Sequence, residues 1–409
     1  IEPPLSHAIK LLQEPDSNGF RNQYSNTFLI EKAPKDIEIN VQISTPNIPE
    51  TVKFSEHSFD RKKLMSTEVI IGTNGPYIFY STNLGESWYC KFIPETEVCM
   101  NAFTTSRGTI IVSGPDINDS EKNRITRITN QEIISTQLIG LNCWHGTFSI
   151  DEDNDTIMYG EYPVNSKKAE KQVPASVFRS QDDGITWEKV FSMDYPEIRH
   201  FHTCTTLKNG KWLITSGDSP NQCRFWKSED NGDNWSEITN TNPEIPVRSG
   251  HKQSIHRTVV IHPFENGILW ATDDPLGPLN EYNDSTNGFL TRSKLVFSDI
   301  EGIISPQIKC DIGMHIRSMI DIDDAFLLIS EAKDLAIVGS PQVFIVFKDD
   351  LEKCHHLFDL PNPNEKVSGG TYSRNSIKIR DGILFSRIPS NTFPTKHPQF
   401  AKWKFTISR

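Results

Sequence analysis

Ser180-Gln181-Asp182-Asp183-Gly184-Ile185-Thr186-Trp187 is an eight-residue turn in which each residue type has a place. The Ser and Asp side chains can bond backbone N–H groups inside the turn, so the loop supplies its own hydrogen bonds. Gly184 provides the positive-φ position that a tight link between antiparallel strands needs. Trp187 then opens the next strand and buries a large ring against its neighbour. The pattern recurs at Ser81-Thr82-Asn83-Leu84-Gly85-Glu86-Ser87-Trp88 and at Ser228-Glu229-Asp230-Asn231-Gly232-Asp233-Asn234-Trp235. Three copies, each after an apolar run and with Trp at one offset, make a repeat rather than a hairpin.

Outward from these turns the chain keeps a strand rhythm. Apolar runs and turns begin near Val69, Asn101, Cys143, Arg199, Ser254, Met314 and Thr371. With His145, His202, Arg257, Arg317 and Arg374 as equivalent positions, the spacings are 57, 55, 60 and 57 residues. This predicts an all-β propeller of seven blades, each a four-stranded antiparallel meander, with six blades as the alternative. Residues 61–409 form the propeller, and residues 1–60 are expected to cover a sheet edge or complete an outer strand. A short helix at Ala8–Gln13 and one or two strands within Phe28–Ile43 belong to that segment.

The three turns resemble the Asp boxes, or BNR repeats, of the sialidase superfamily and related β-propellers. Ser-x-Asp-x-Gly-x-Thr-Trp is matched fully at 180–187, with Asn234 in place of Thr at 228–235, and with Asn83 in place of Asp and Ser87 in place of Thr at 81–88. The resemblance implies a propeller and places the boxes away from the active face. The overall make-up is also similar to that of seven-bladed propeller polysaccharide lyases, such as ulvan lyases.

Composition narrows the function. The formal charge of −11 argues against a nucleic-acid partner held by a general basic surface. No apolar run approaches the ~18 residues that a membrane helix requires. Seven Cys are too few and too scattered for a disulfide scaffold; most read as buried thiols, and Cys204 and Cys223 could pair across a blade. The sequence opens at Ile1 rather than Met, which reads as a processed or trimmed chain, and a secreted or periplasmic monomer is expected.

Meander topology sorts the polar residues. The start of each first strand and the end of each second strand share one rim, and the boxes lie on the other. First-strand starts carry His145, His200, His202, His256, Arg257, His315, Arg317, Tyr372 and Arg374; second-strand ends carry Asp116, Glu161, Tyr162, Asp218, Asp273, Asp274, Glu331 and Arg387. Arg and His gathered in an acidic protein suggest an anion site, with Arg offering a fork to a carboxylate. The expected ligand is an anionic oligo- or polysaccharide, and the expected activity its cleavage.

In β-elimination from a uronate, a cation neutralises the carboxylate, a base removes the adjacent proton and an acid protonates the leaving oxygen. Arg257, Arg317 or Arg374 would neutralise, His145 or His202 would be the base, and Tyr372 or Tyr162 the acid. Glu161 joins the catalytic candidates, and His200, His256, Asp218 and Asp273 the substrate-binding ones. Sialidase-like hydrolysis is the alternative, with Arg257, Arg317, Arg374 and Tyr372 matching the family's arginine and tyrosine set. The family's Arg-Ile-Pro occurs here only as Arg387-Ile388-Pro389, in the last unit. A non-catalytic glycan-binding propeller is the third reading. No cofactor is expected. His200 and His202 share one strand face and could bind a metal, but sequence forces no third ligand, so no metal site is assigned. The competing structural reading has strand-start histidines bonded to backbone carbonyls, and Arg317 and Arg374 paired with Asp321 or Glu331.

Overall fold

The computed structural model describes residues 70–74, 76–81, 89–129, 132–144, 149–163, 172–239, 244–246, 252–273, 293–312, 316–322, 324–330 and 342–359. It also describes short strands at 31–32, 38–39, 42–44, 377–379, 383–388, 399–404 and 407–408. The candidate helix at Ala8–Gln13 and most of the first box lie outside these residues.

The described strands form seven sheets of three to five strands, plus two small two-stranded pairs. Apart from strands added to the last two sheets from the first fifty residues, each large sheet is an antiparallel meander, as the near-equal spacing requires. The fourth runs His200–Lys208, Lys211–Gly217, Phe225–Ser228 and Ser236–Glu237. The fifth runs Thr258–Phe264, Gly267–Thr272, Lys294–Asp299 and Gln307–Asp311. In the third and fifth sheets the first strand starts at Ile150 and Thr258, later than the sequence rhythm suggests. At the fifth, the Arg257 N–H bonds Ser254 O at 3.0 Å, closing a turn that occupies the expected strand start.

The last sheet is completed from the other end of the chain. Ile377–Ile379, Ile383–Ile388 and Gln399–Lys404 are joined on the outside by Gln42–Ser44. Glu31–Lys32 adds a parallel fifth strand to the outer edge of the sixth sheet, along His355 and His356.

The core lies between sheets. Met158, Ala175 and Val177 of the third sheet pack on Phe201, Trp212 and Trp226 of the fourth. Leu213 and Phe225 of the fourth meet Ile261, Trp270 and Val296 of the fifth on the other side. Alternation along each strand therefore sends one set of side chains to each neighbouring blade, and both faces are apolar.

The described boxes close as their residue types require. In the second, the Gly184 N–H donates to Ser180 Oγ at 2.8 Å. The Thr186 N–H and hydroxyl donate to the two Asp182 oxygens at 2.8 and 2.6 Å. In the third, Asn234 replaces Thr and gives the same two bonds to Asp230, at 2.9 and 2.7 Å. These bonds to Asn234, with one from Ser228, hold the Asp230 carboxyl down at about 2. Two successive residues take positive φ in each turn, 60° and 78° at Asp183-Gly184 and 59° and 90° at Asn231-Gly232. Asp and Asn tolerate this conformation better than other side chains do. Each box is also gripped by the preceding blade. Arg127, on the third strand of the second sheet, donates to Asp183 O at 2.8 Å and to its carboxylate at 3.1 Å. Arg179, in the same place on the third sheet, bonds Asn231 O and Asp233.

All seven cysteines are free, so the candidate Cys204–Cys223 bridge does not form; both thiols are buried. Burial pushes the Cys223 thiol up to about 12, which keeps it protonated.

Candidate functional site

The ladder His200↔Gly217 puts the start of the fourth sheet's first strand beside the end of its second. Asp218, one residue on, therefore meets His200 and His202 on one rim. The box at 228–235 sits at the other end, where the Asn231 N–H bonds Gly210 O at 2.7 Å. Alternation brings both imidazoles to the same strand face, and their Nε2 atoms lie 3.1 Å apart. Asp218 closes the triangle, with Oδ2 at 3.5 Å from His200 Nε2 and Oδ1 at 3.4 Å from His202 Nε2.

Each ring is fixed from behind by a backbone carbonyl. His200 Nδ1 is 3.1 Å from Pro163 O, and His202 Nδ1 is 2.8 Å from Thr258 O in the next blade. Tyr162 stacks on His200, with ring centroids 3.7 Å apart and planes 18° from parallel. Both imidazoles are buried at 1 % exposure, while the Asp218 side chain keeps 20 %, so the carboxylate is the member that meets solvent.

Two arginines converge on the same carboxylate. Arg199 bonds Oδ2, and Arg257 bonds Oδ1 at 3.2 Å. Arg257 also reaches Asp218 O and Asp273 Oδ2, each at 3.2 Å, so its fork is turned toward the protein's own acceptors. Burial would lower the Arg257 pKa, but Asp273 and Asp218 outweigh it and raise it, so the cation is secure. For His200 burial dominates over the opposing pull of Asp218 and lowers its pKa to about 4. Burial would raise the Asp218 pKa, but the two facing imidazoles outweigh it and hold it below the usual carboxylate range. His200 is thus a neutral imidazole beside an anion at neutral pH.

The remaining candidates separate into three groups. Glu161 is turned into the body: its carboxylate accepts the Leu141, Asn142 and Ser176 N–H groups at 2.7, 3.0 and 3.0 Å. Burial outweighs those bonds and raises its pKa. His256 is fully buried behind the rim, edge-on to Phe225 at 5.7 Å. Arg317 lies on strand Ile316–Ile322, of which its backbone alone is described. His145, Asp274, His315, Glu331, Tyr372 and Arg374 lie outside the described residues. The five-spoke arrangement drawn from sequence is thus described at His202 and Arg257. Sequence reasoning missed Arg199, although it directly precedes His200-Phe201-His202.

His256 gives a pH prediction. Burial lowers its pKa from 6.5 to about 4, so between those values the unfolded chain binds a proton that the folded one refuses. Stability should be intact above pH 6.5 and fall as pH drops toward 4, by on the order of 3 kcal/mol from this residue. Denaturant melts of His256→Gln should show that much less acid sensitivity than the parent; curves that run parallel would contradict it.

The fold and this rim define an all-β propeller with a polar cluster at one mouth. Similar solved structures include a chain of a mitotic checkpoint complex (TM-score 0.52, 10% identity, covering 92% of this chain and 96% of that one). The RRP9 WD40 repeats follow at TM-score 0.51 and 7% identity, covering 90% and 100%. The WD40 β-propeller domain of Doa1 matches at 0.50 and 10% identity, covering 90% and 97%. At such identities the likeness shows the fold alone. A scan against protein-family models finds no match, and a search of curated proteins finds none. Among the described residues no helix is long and apolar enough to cross a membrane.

Proposed function

We propose that the protein is a carbohydrate-active enzyme of the Asp-box propeller kind, cleaving a carboxylated polysaccharide by β-elimination at the Asp218 rim. The observation that carries this reading is the convergence of His200, His202, Tyr162, Arg199 and Arg257 around one partly exposed carboxylate in a protein of net charge −11. Two further facts support it: the boxes close with their full set of internal bonds, and the cluster lies on the opposite rim.

In the proposed reaction a base removes the proton next to the uronate carboxylate and the bond from ring carbon to leaving oxygen breaks. The electron pair forms a C=C bond and the leaving oxygen takes a proton, so no water is consumed. The reading asks a cation at the rim to stabilise the developing enediolate and Tyr162, stacked on His200, to carry a proton.

The test is incubation with a panel of uronate-containing and sialylated glycans. New ultraviolet absorbance from the unsaturated product supports elimination; new reducing ends without it would replace the reading with hydrolysis. Glycan retention with neither signal would favour a binding platform.

A further inference from the structure

Both imidazoles at the rim present Nδ1 to a backbone carbonyl, at 3.1 Å for His200 and 2.8 Å for His202. A carbonyl oxygen only accepts, so each Nδ1 carries the hydrogen. That leaves the two Nε2 atoms facing each other across 3.1 Å, with Asp218 oxygens 3.4 and 3.5 Å away. Two imidazole nitrogens and a carboxylate converging on one point are held best with something positive between them.

We propose that His200 Nε2, His202 Nε2 and the Asp218 carboxylate hold a divalent transition-metal ion of the zinc class. The spacing fits. Zinc bonds of about 2.0–2.1 Å to nitrogen and 2.0–2.2 Å to oxygen, in tetrahedral geometry, put neighbouring ligand atoms roughly 3.4 Å apart. The two Nε2 atoms are 3.1 Å apart, and each has its own Asp218 oxygen, Oδ2 at 3.5 Å from His200 and Oδ1 at 3.4 Å from His202, all near that value. The donor type fits as well, since two imidazoles with one carboxylate suit zinc better than calcium or magnesium. The carbonyls behind the rings supply the outer bonds that orient metal-ligating histidines.

The arginines on Asp218 do not close the site. Arg257 takes Oδ1 and Arg199 takes Oδ2. Each carboxylate oxygen has two lone-pair directions, which leaves one per oxygen for the ion. Asp273, bonded to Arg257, adds a compensating negative charge close by. Three protein ligands leave a fourth position free, the pattern of a metal that works on a substrate rather than one that only staples a fold. On the glycan reading above, on which this last step rests, that position takes the uronate carboxylate and supplies the neutralising charge that Arg257, already engaged, does not.

The experiment is calorimetric titration of the chelator-treated, full-length protein with Zn²⁺, alongside visible absorption of the Co²⁺-loaded form. One ion per chain is expected, with the intense visible bands of four-coordinate cobalt. His202→Gln and Asp218→Asn should each weaken Zn²⁺ binding by more than about 100-fold, beyond the 10–100-fold that outer partners command. Absence of stoichiometric binding, or binding unaltered in both variants, overturns the proposal and leaves a proton shared by the histidine pair. The Co²⁺ spectrum needs no variant, so it decides the matter even if a substitution prevents folding. Metal binding without glycan cleavage would leave the centre standing and remove the proposed reaction. Cleavage by a protein that binds no metal would do the reverse.

Discussion

Replacing Arg127 with Met is expected to destabilise the protein by about 3–5 kcal/mol, the cost of stripping one partner from a buried ion pair. Arg127 and Asp183 are only 8 % and 11 % exposed, and the guanidinium holds both the carbonyl and the carboxylate of Asp183. With Arg127 gone, the Thr109 hydroxyl remains on that carboxylate, a neutral donor beside a buried anion. Asp183→Asn on top of Arg127→Met should recover much of the loss, because the amide carries no charge and still tolerates the φ of 60°. Chemical denaturation of the two variants and the parent measures this directly. A single-variant loss under 1 kcal/mol would mean that the blades are held by their apolar faces alone.

The second large effect is on activity. Gly217 stands opposite His200 in the ladder, and a Cβ there would lie 2.5 Å from His202 Cε1 and 3.0 Å from its Nδ1. The ring has no easy retreat, since Nδ1 is tied to Thr258 O. Gly217→Ala should therefore displace the imidazole by a substantial fraction of an ångström and leave the strand pairing intact. Misplacement on that scale costs roughly 100-fold in rate, so glycan cleavage should fall by about that factor with little change in the thermal melt. Activity equal to the parent would remove His202 from the working site.

Local chemistry explains what could be read from sequence. The box turns close through bonds between residues two to four apart, so Ser180, Asp182, Gly184 and Thr186 announced their roles. Replacement of Thr by Asn at 234 was readable too, because the side-chain amide donates where the Thr hydroxyl does, beside the same backbone N–H. Strand alternation was enough to bring His200 and His202 to one face, and meander topology to put Asp218 on their rim. Register across blades carries the rest and leaves no trace in spacing. Nothing near His202 indicates that Thr258 O, in the next sheet, fixes its ring. Arg127 and Arg179 look like ordinary strand charges until the neighbouring turn is set against them. Arg257 reads as a free anion fork because the approach of Asp218 and Asp273 depends on two separate sheets. Glu161 sits at the expected strand end, but three backbone N–H groups draw it inward, away from the cluster.

Gln42–Ser44 and Gln399–Lys404 belong to one sheet, although almost the whole chain separates them. On a ribosome the early strand must wait, unpaired, until its late partner has emerged, while the intervening sheets can stack in order as they are made. The final clasp then brings together chain segments more than three hundred residues apart, and the entropy of that encounter grows only with the logarithm of the distance. Release of the clasp exposes two sheet edges at once, which makes this seam the natural place for the ring to open, for a protease to gain entry, or for two molecules to exchange strands.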